Sequence, residues 1–368
     1  MPRICGLMPD QPISSISVAF ASILQVLTFT TFCAQAQPQQ MPPTGIDVVD
    51  VPLVVWVASR QHATPETLQE FSTGSTRAVI FRSFVQVLAA NDWAKASDLA
   101  KALAYELVAI RDREMWFVIA SDDSKTGRDP TIVINTTPRR EIILQAPHVP
   151  FETGTAEQAA ILLRNLAGRA AIVSGAHRCA SKTFTSCDGK TEVCNGIQSY
   201  RESDVGHNVR TLFHVAHVEL AARWKQSIVV SLHGMKEDDT GVRTAIIISD
   251  GAHDKDPGEQ AVATKLRLAL DKNATHPGMV VSCNWPADDV YSYRKLCGYT
   301  NVQGRQVNGS TDVCRASVDK ASGRFIHLEQ DRSVLRPYAH NWPNIDKHAF
   351  SLGFIEAFAG VVPLVTSP

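Results

Sequence analysis

The chain has 368 residues, of which 44% are hydrophobic and 20% charged, with a net charge of -1. This is the balance of a globular protein with a sizeable core. It excludes the basic footprint that nucleic acid or an anionic membrane surface requires, so no nucleic-acid partner is expected.

Residues 17–32, "SVAFASILQVLTFTTF", carry no charge, follow Arg3 and precede the small-residue run Ala34 to Ala36. The pattern reads as a secretory signal peptide over residues 1–36, cut after Ala36. The run is shorter than the roughly 20 apolar residues of a membrane span. No membrane span is therefore expected in the mature chain, a retained anchor being the alternative. Asp10 weakens the n-region and makes Met8 a second candidate start. Beyond the leader, six cysteines remain: Cys179, Cys187, Cys194, Cys283, Cys297 and Cys314. An even number in an exported chain points to disulfides and to a secreted or periplasmic location. They fall into two groups of three, so full pairing requires at least one bridge between the groups. Free buried thiols are the alternative, and no CxxC spacing suggests zinc binding by sulfur.

After the linker "QPQQMPPTG", residues 37–140 read as an α+β segment. "VPLVVWVA" and "MWFVIA" are expected as strands. "DWAKASDLAKALAYELVAI" is expected as one helix capped by Asp92, and "TIVINTT" as a further strand. This segment is an appended domain, a cover, or the first edge of the main sheet. Residues 141–368 alternate strand and helix. "EIILQA", "AAIVSGA", "SIVVSLHG", "TAIIIS", "GMVVSCN" and "GRFIHLEQ" are the strands. Helices are expected from Thr155, with a Thr155–Gln158 capping box, over "SDVGHNVRTLFHVAHVELAARW" with Ser203 or Asp204 as cap, over "EQAVATKLRLALD", and over "DKHAFSLGFIEAFAG". Near-continuous apolar strands between helices predict an α/β fold, a mixed and largely parallel sheet sandwiched by helices.

Ligands in such folds sit at strand ends. His148 and Glu152 follow "EIILQA" in "QAPHVPFETGT", His233 ends "SIVVSLHG", and Glu329 closes "GRFIHLEQ". Two imidazoles and one carboxylate meet the ligand requirement of catalytic zinc, which keeps a fourth position open. A separate carboxylate then serves as general base and acid. Bland alternatives exist for each: a turn histidine and a helix-start carboxylate for the pair, a packed core histidine for His233, and an ion pair with Arg332 or Arg336 for Glu329.

The order of "APHVPFETGT", "SLHG", "TNVQGRQVNG" and "FIHLEQ" resembles the zinc carboxypeptidase superfamily. Within it, the order resembles the amidohydrolase branch of poly-γ-glutamate hydrolases and N-formylglutamate amidohydrolases. The resemblance covers about residues 141–360, and the His148–Glu152 spacing is one residue shorter than in the hydrolases' motif. It implies zinc held by His148, Glu152 and His233, and Glu329 as the catalytic carboxylate. It also implies a substrate clamp from Asn301 and Arg305. Arg178, at a strand end, is a further candidate for substrate binding, with a structural ion pair as its alternative. His207, His214 and His217 fall at spacings of seven and three along the expected helix. His207 is a candidate to reach the site, while His214 and His217 support the core or the ligands of the metal, a second metal held by the three being the alternative. The reading is an exported zinc hydrolase of amide, peptide or ester bonds acting on a small or peptide-like substrate. Its rival is a non-catalytic exported binding protein with a structural metal.

Overall fold

The computed structural model describes residues 42–366, apart from 69–70, 72–74, 123–127, 237–243, 255–257, 276–277, 284–294, 342–343 and 346–348. The expected signal peptide lies outside the described residues. In chain order, β1 (Asp47–Val49) is followed by α1 (Leu53–Ala58), α2 (Ser75–Ala89), α3 (Trp93–Leu103), β2 (Tyr105–Asp112), β3 (Met115–Asp122), β4 (Thr131–Asn135) and β5 (Ile142–Ala146). Then come α4 (Thr155–Leu166), β6 (Ala170–Val173), the short β7 (Lys190–Thr191) and β8 (Gln198–Ser199), α5 (Leu212–Arg223), β9 (Ile228–Gly234) and β10 (Ile246–Ser249). The chain closes with α6 (Val262–Asp271), β11 (Val280–Ser282), α7 (Val302–Val307), β12 (Phe325–Gln330), α8 (Arg332–His340) and α9 (Ala349–Val361).

Ten strands form one sheet in the order β1-β2-β3-β4-β6-β5-β9-β12-β10-β11. The central strands β6, β5, β9 and β12 run parallel, while β4 and β10 flank them antiparallel. The fold is α/β with a mixed sheet between two helical layers. Residues 37–140 supply β1–β4 of this same sheet, with β4 paired to β6.

Four local expectations change. "VPLVVWVA" is α1, not a strand. Pro52 is its N-cap (φ -59, ψ 143), and the Pro52 carbonyl accepts the first helical N–H groups, from Val55 at 3.0 Å and Trp56 at 3.2 Å. Asp112 Oδ2 accepts the otherwise orphaned N–H of Leu53 at 3.0 Å. The expected helix over 92–110 is a helix and a strand. Asp92 caps α3 as expected, accepting from Lys95 N, but Ala104 turns left-handed (φ 53) and the β-prone "YELVAI" becomes β2. The expected helix over 203–224 begins only at Leu212, with Thr211 as its cap at 3.0 Å from His214 N. Residues Val205–His207 form a separate 3-10 turn, and Asn208 is extended (φ -141). Helix α4 starts as expected, but without a capping box. Its N-cap is Gly154 in the left-handed region (φ 98), where a Cβ would lie 2.7 Å from Leu335 O. Thr155 Oγ1 instead donates to Glu152 O at 2.8 Å.

Strand alternation sorts the core into two layers. Leu144, Val230, Leu232, Ile326 and Leu328 pack with α1, α4, α6 and α9. Ile143, Val229 and Phe325 face α2, α3 and α5. Continuing along that second face, the alternating positions become Gln145, Ser231, His233, His327 and Glu329, all buried. An apolar side chain at each would contribute roughly 1.5–3 kcal/mol by burial. Five polar groups there are tolerable only if they satisfy one another or a ligand.

All six cysteines beyond residue 36 are paired: Cys179–Cys194, Cys187–Cys314 and Cys283–Cys297. Cys187–Cys314 is the bridge between the two groups that parity demands. No helix among the described residues is long and apolar enough to cross a membrane.

Candidate metal centre

The site lies where β5, β9 and β12 end side by side. Parallel pairing sets His233 of β9 opposite Glu329 of β12, and Ser231 opposite both His327 and Gln145. Just past β5, one tight turn in which Glu152 N–H donates to His148 O (2.9 Å) brings His148 and Glu152 onto the same spot. The geometry is then simple. His148 Nδ1 lies 2.7 Å from Glu152 Oε1 and 3.1 Å from His233 Nδ1. His233 Nδ1 lies 3.4 Å from Glu152 Oε2. Ligand atoms about 2.0–2.1 Å from a tetrahedral zinc stand roughly 3.3 Å apart. The two Nδ1 atoms and the two oxygens of the Glu152 carboxylate already approach that spacing, and the donor set of two imidazoles and a carboxylate suits zinc. The residues present therefore fit the metal.

The far sides of both imidazoles are also engaged. A ring that offers its Nδ1 lone pair carries its proton on Nε2. His148 Nε2 has Asp204 Oδ1 at 2.9 Å, and His233 Nε2 has Ser231 Oγ at 2.8 Å. Such outer partners fix tautomer and ring orientation for a ligand histidine. Gly234 N–H donates to Glu152 Oε2 at 3.0 Å.

Two other groupings could hold a cation by distance alone, His148–Asp204–His207 and His233–His327–Glu329. The first uses His148 Nε2, and a neutral imidazole has one lone-pair nitrogen, so it competes with the Nδ1 site. The second draws on His233, whose Nδ1 already faces His148 and Glu152 and whose Nε2 faces Ser231. The set of His148, Glu152 and His233 is the one with both histidines oriented from behind.

Electrostatics agree. Burial disfavours charge on Glu152, but His148 and His233 hold its carboxyl well below the usual range. Asp204 is likewise held low by Arg178, His207 and His148 against its burial. Burial, then His327, keep His233 neutral. Burial and Arg178 pull His148 down, yet Glu152 and Asp204 on its two nitrogens push it up to about 9. In the metal-free chain a proton thus occupies the position a metal would take. Glu329 behaves oppositely to Glu152: burial raises its carboxyl, and His327 only partly offsets this.

The remaining expected residues separate into those at the site and those that are not. Arg178 is at the site, but as the counter-charge of Asp204 and of Glu152 Oε1 (3.1 Å). His207 is there too. Its Nδ1 is 2.8 Å from Asp204 Oδ1, and its ring stacks on Tyr200 at 3.6 Å. The expected Asn301–Arg305 clamp does not form. Arg305 is 0% exposed, and its five N–H groups go to Asp188 Oδ1 and Oδ2, Tyr299 O, Cys314 O and Ser317 Oγ. No donor is left for a substrate. Asn301 is buried, and its Oδ1 caps α7 by accepting from Gly304 N at 2.8 Å. His217 is a core group, bonded to Gln145 at 2.8 Å and Gln306 at 3.0 Å. Burial drives His214 down to about 4 and His217 to about 3.

Asp204, Ser231 and His327 were not expected as site residues. Ser231 and His327 each precede a site residue by two on a strand, so alternation placed them on the site's face. Asp204 read as a helix cap. The neighbouring Gly206 and Asn208, poor helix formers, were the signal against that helix.

No protein-family model matches the chain, and no curated protein matches it. Among solved structures, it is similar to a gene product of Agrobacterium tumefaciens, with 11% identity over 61% of this chain and 92% of that one, at a TM-score of 0.36. It is also similar to an N-formylglutamate amidohydrolase from Ralstonia eutropha JMP134, with 10% identity over 64% of this chain and 98% of that one, at a TM-score of 0.37. At that level of overlap neither likeness bears on function, and the chemistry rests on the site's own geometry.

Proposed function

We propose that this chain is an exported zinc-dependent hydrolase of amide, peptide or ester bonds, with the metal held by His148 Nδ1, Glu152 and His233 Nδ1. The observation that carries it is the convergence of His148 Nδ1, His233 Nδ1 and the two oxygens of the Glu152 carboxylate, at 2.7, 3.1 and 3.4 Å, with both histidines held from behind by Asp204 and Ser231. Three protein donors, rather than four, favour a catalytic over a closed structural metal. A metal bound there supplies Lewis acidity toward a carbonyl and lowers the pKa of water.

The chain's own residues do the rest. Glu329, opposite His233 on the neighbouring strand, takes the proton of the attacking water and returns it to the leaving group. Burial raises its carboxyl pKa, the direction that suits a group that must both accept and release a proton. Asp204 keeps His148 in the metal-binding tautomer, and Arg178 balances the two buried carboxylates. The substrate is a small or peptide-like molecule with a hydrolysable carbonyl. Export is supported by the three disulfides, which persist in oxidising compartments.

The test is Glu329→Gln on the zinc-loaded protein against a panel of N-acyl amino acids, peptides and esters. Turnover should fall by about 10²–10⁴-fold, with bound zinc unchanged. Full activity in the variant refutes the mechanism, and a wild-type chain that binds no zinc refutes the whole reading.

A further inference from the structure

His327 is a buried residue that the reaction scheme above leaves unassigned. It sits two residues before Glu329 on β12, on the same face, with its Nε2 3.1 Å from Glu329 Oε1. Its ring lies 4.3 Å from that of His233. Among the described residues its buried Nδ1 has no hydrogen-bond partner. An N–H left unpaired in a dry interior is costly, so the proton belongs on Nε2, where Glu329 Oε1 accepts it. Glu329 Oε2 has no hydrogen-bond partner among the described residues. One carboxylate oxygen is tied and the other is open.

The His327 ring is itself seated. Gly298 has φ +67, and a Cβ there would lie 2.6 Å from His327 Cγ and 2.7 Å from its Nδ1. Bare backbone is pressed against the imidazole, and a side chain at 298 has no room. The preceding residue, Cys297, is bridged to Cys283, one residue past β11. The bridge anchors Gly298 to a sheet strand's end, Gly298 holds the ring, and the ring holds the carboxylate. Without such a chain of contacts a strand-borne glutamate keeps free rotamers, and misplacement of a reacting group by an ångström is costly.

We propose that His327 is the positioning residue of Glu329, donating Nε2–H to Oε1 so that Oε2 faces the reacting water, with the disulfide-anchored Gly298 backbone as its seat. This rests on the reading of Glu329 as the proton-handling group.

The direct test is imidazole ¹⁵N NMR of the full chain, metal-free, with His327 assigned by comparison with His327→Gln. A neutral Nε2–H tautomer with a slowly exchanging proton is expected. The Nδ1–H tautomer would overturn the proposal. Kinetics follow on any substrate for which Glu329→Gln is inactive. His327→Phe should lower kcat by about 10–100-fold with KM and zinc affinity little changed, and His327→Gln, which keeps a donor near the Nε2 position, should recover most of it. Gly298→Ala should lower kcat in the same direction. Equal losses in the Phe and Gln variants, or wild-type kcat in both, would overturn it. A loss of zinc in His327→Phe would also overturn it by making His327 a ligand. Because activity is scored only where Glu329→Gln is dead, failure here is distinguishable from failure of the hydrolase reading.

Discussion

Replacing Asp204 by Asn probes whether the centre is organised from behind. Asp204 is fully buried and accepts from His148 Nε2 (2.9 Å), His207 Nδ1 (2.8 Å) and two N–H groups of Arg178 (3.0 and 2.7 Å). Asn has the same size but one acceptor oxygen and no charge. If its oxygen faces the histidines, its NH₂ meets Arg178; if it faces Arg178, the NH₂ meets His148 and His207. Either way donors face donors, and in the first orientation Arg178 keeps only Glu152 Oε1 at 3.1 Å. Two magnitudes follow. Zinc affinity should fall by about 10–100-fold, as when an outer partner of a ligand histidine is lost, or roughly 1.4–2.7 kcal/mol. The metal-free protein should lose about 3–5 kcal/mol, the cost of breaking a buried ion pair. Competition against a chromophoric chelator at pH 7.5 measures the first, and urea unfolding the second. Unchanged zinc affinity in a folded variant would refute the claim that Asp204 orients His148. Complete loss of binding in a folded variant would refute it from the other side, making Asp204 a ligand.

Two further outcomes are expected. His148 is pushed up to about 9 in the metal-free chain, above its ordinary value near 6.5. A raised pKa contributes stability that is fully present below about 6.5 and is lost as pH rises through about 9. The unfolding free energy of the metal-free protein, from urea melts, should therefore fall between pH 7 and 9.5 by on the order of 2 kcal/mol, while the zinc-loaded protein shows no such drop. A flat or rising profile for the metal-free protein contradicts the assignment. Arg305→Met removes five buried hydrogen bonds and should destabilise the fold by about 2–4 kcal/mol without changing zinc affinity. An unchanged midpoint, or weakened zinc binding, would contradict the purely structural role assigned to Arg305.

How much of this was legible in the sequence depends on the range of the interaction. The strands "EIILQA", "SIVVSLHG" and "GRFIHLEQ" announce themselves because β-branched runs buried on both faces are a local signal. That His148, Glu152, His233 and Glu329 would gather at neighbouring strand ends was legible, because strand ends are where α/β sheets place ligands. Alternation alone could also have named Ser231 and His327. Asp204 was hidden because its role is set by partners His148 and Arg178, 56 and 26 residues away. A carboxylate before a histidine-rich run looks like a cap until those partners are known. Arg305 misled for the same reason. A lone arginine in a turn-rich loop suggests a free guanidinium, and only the bridge between Cys187 and Cys314 brings Asp188 and the Cys314 carbonyl around it. The run "VPLVVWVA" is apolar throughout, so period could not separate helix from strand. Pro52 and the remote Asp112 decided for the helix.

The central claim is that His148, Glu152 and His233 together hold a divalent metal. X-ray absorption at the zinc edge, on full-length protein loaded with about one equivalent of zinc, tests it directly. The account predicts a first shell of nitrogen and oxygen scatterers near 2.0–2.1 Å, with the outer-shell signature of two imidazoles and no sulfur, and one imidazole fewer in His233→Ala. A sulfur shell, or a spectrum unaltered by His233→Ala, would contradict it.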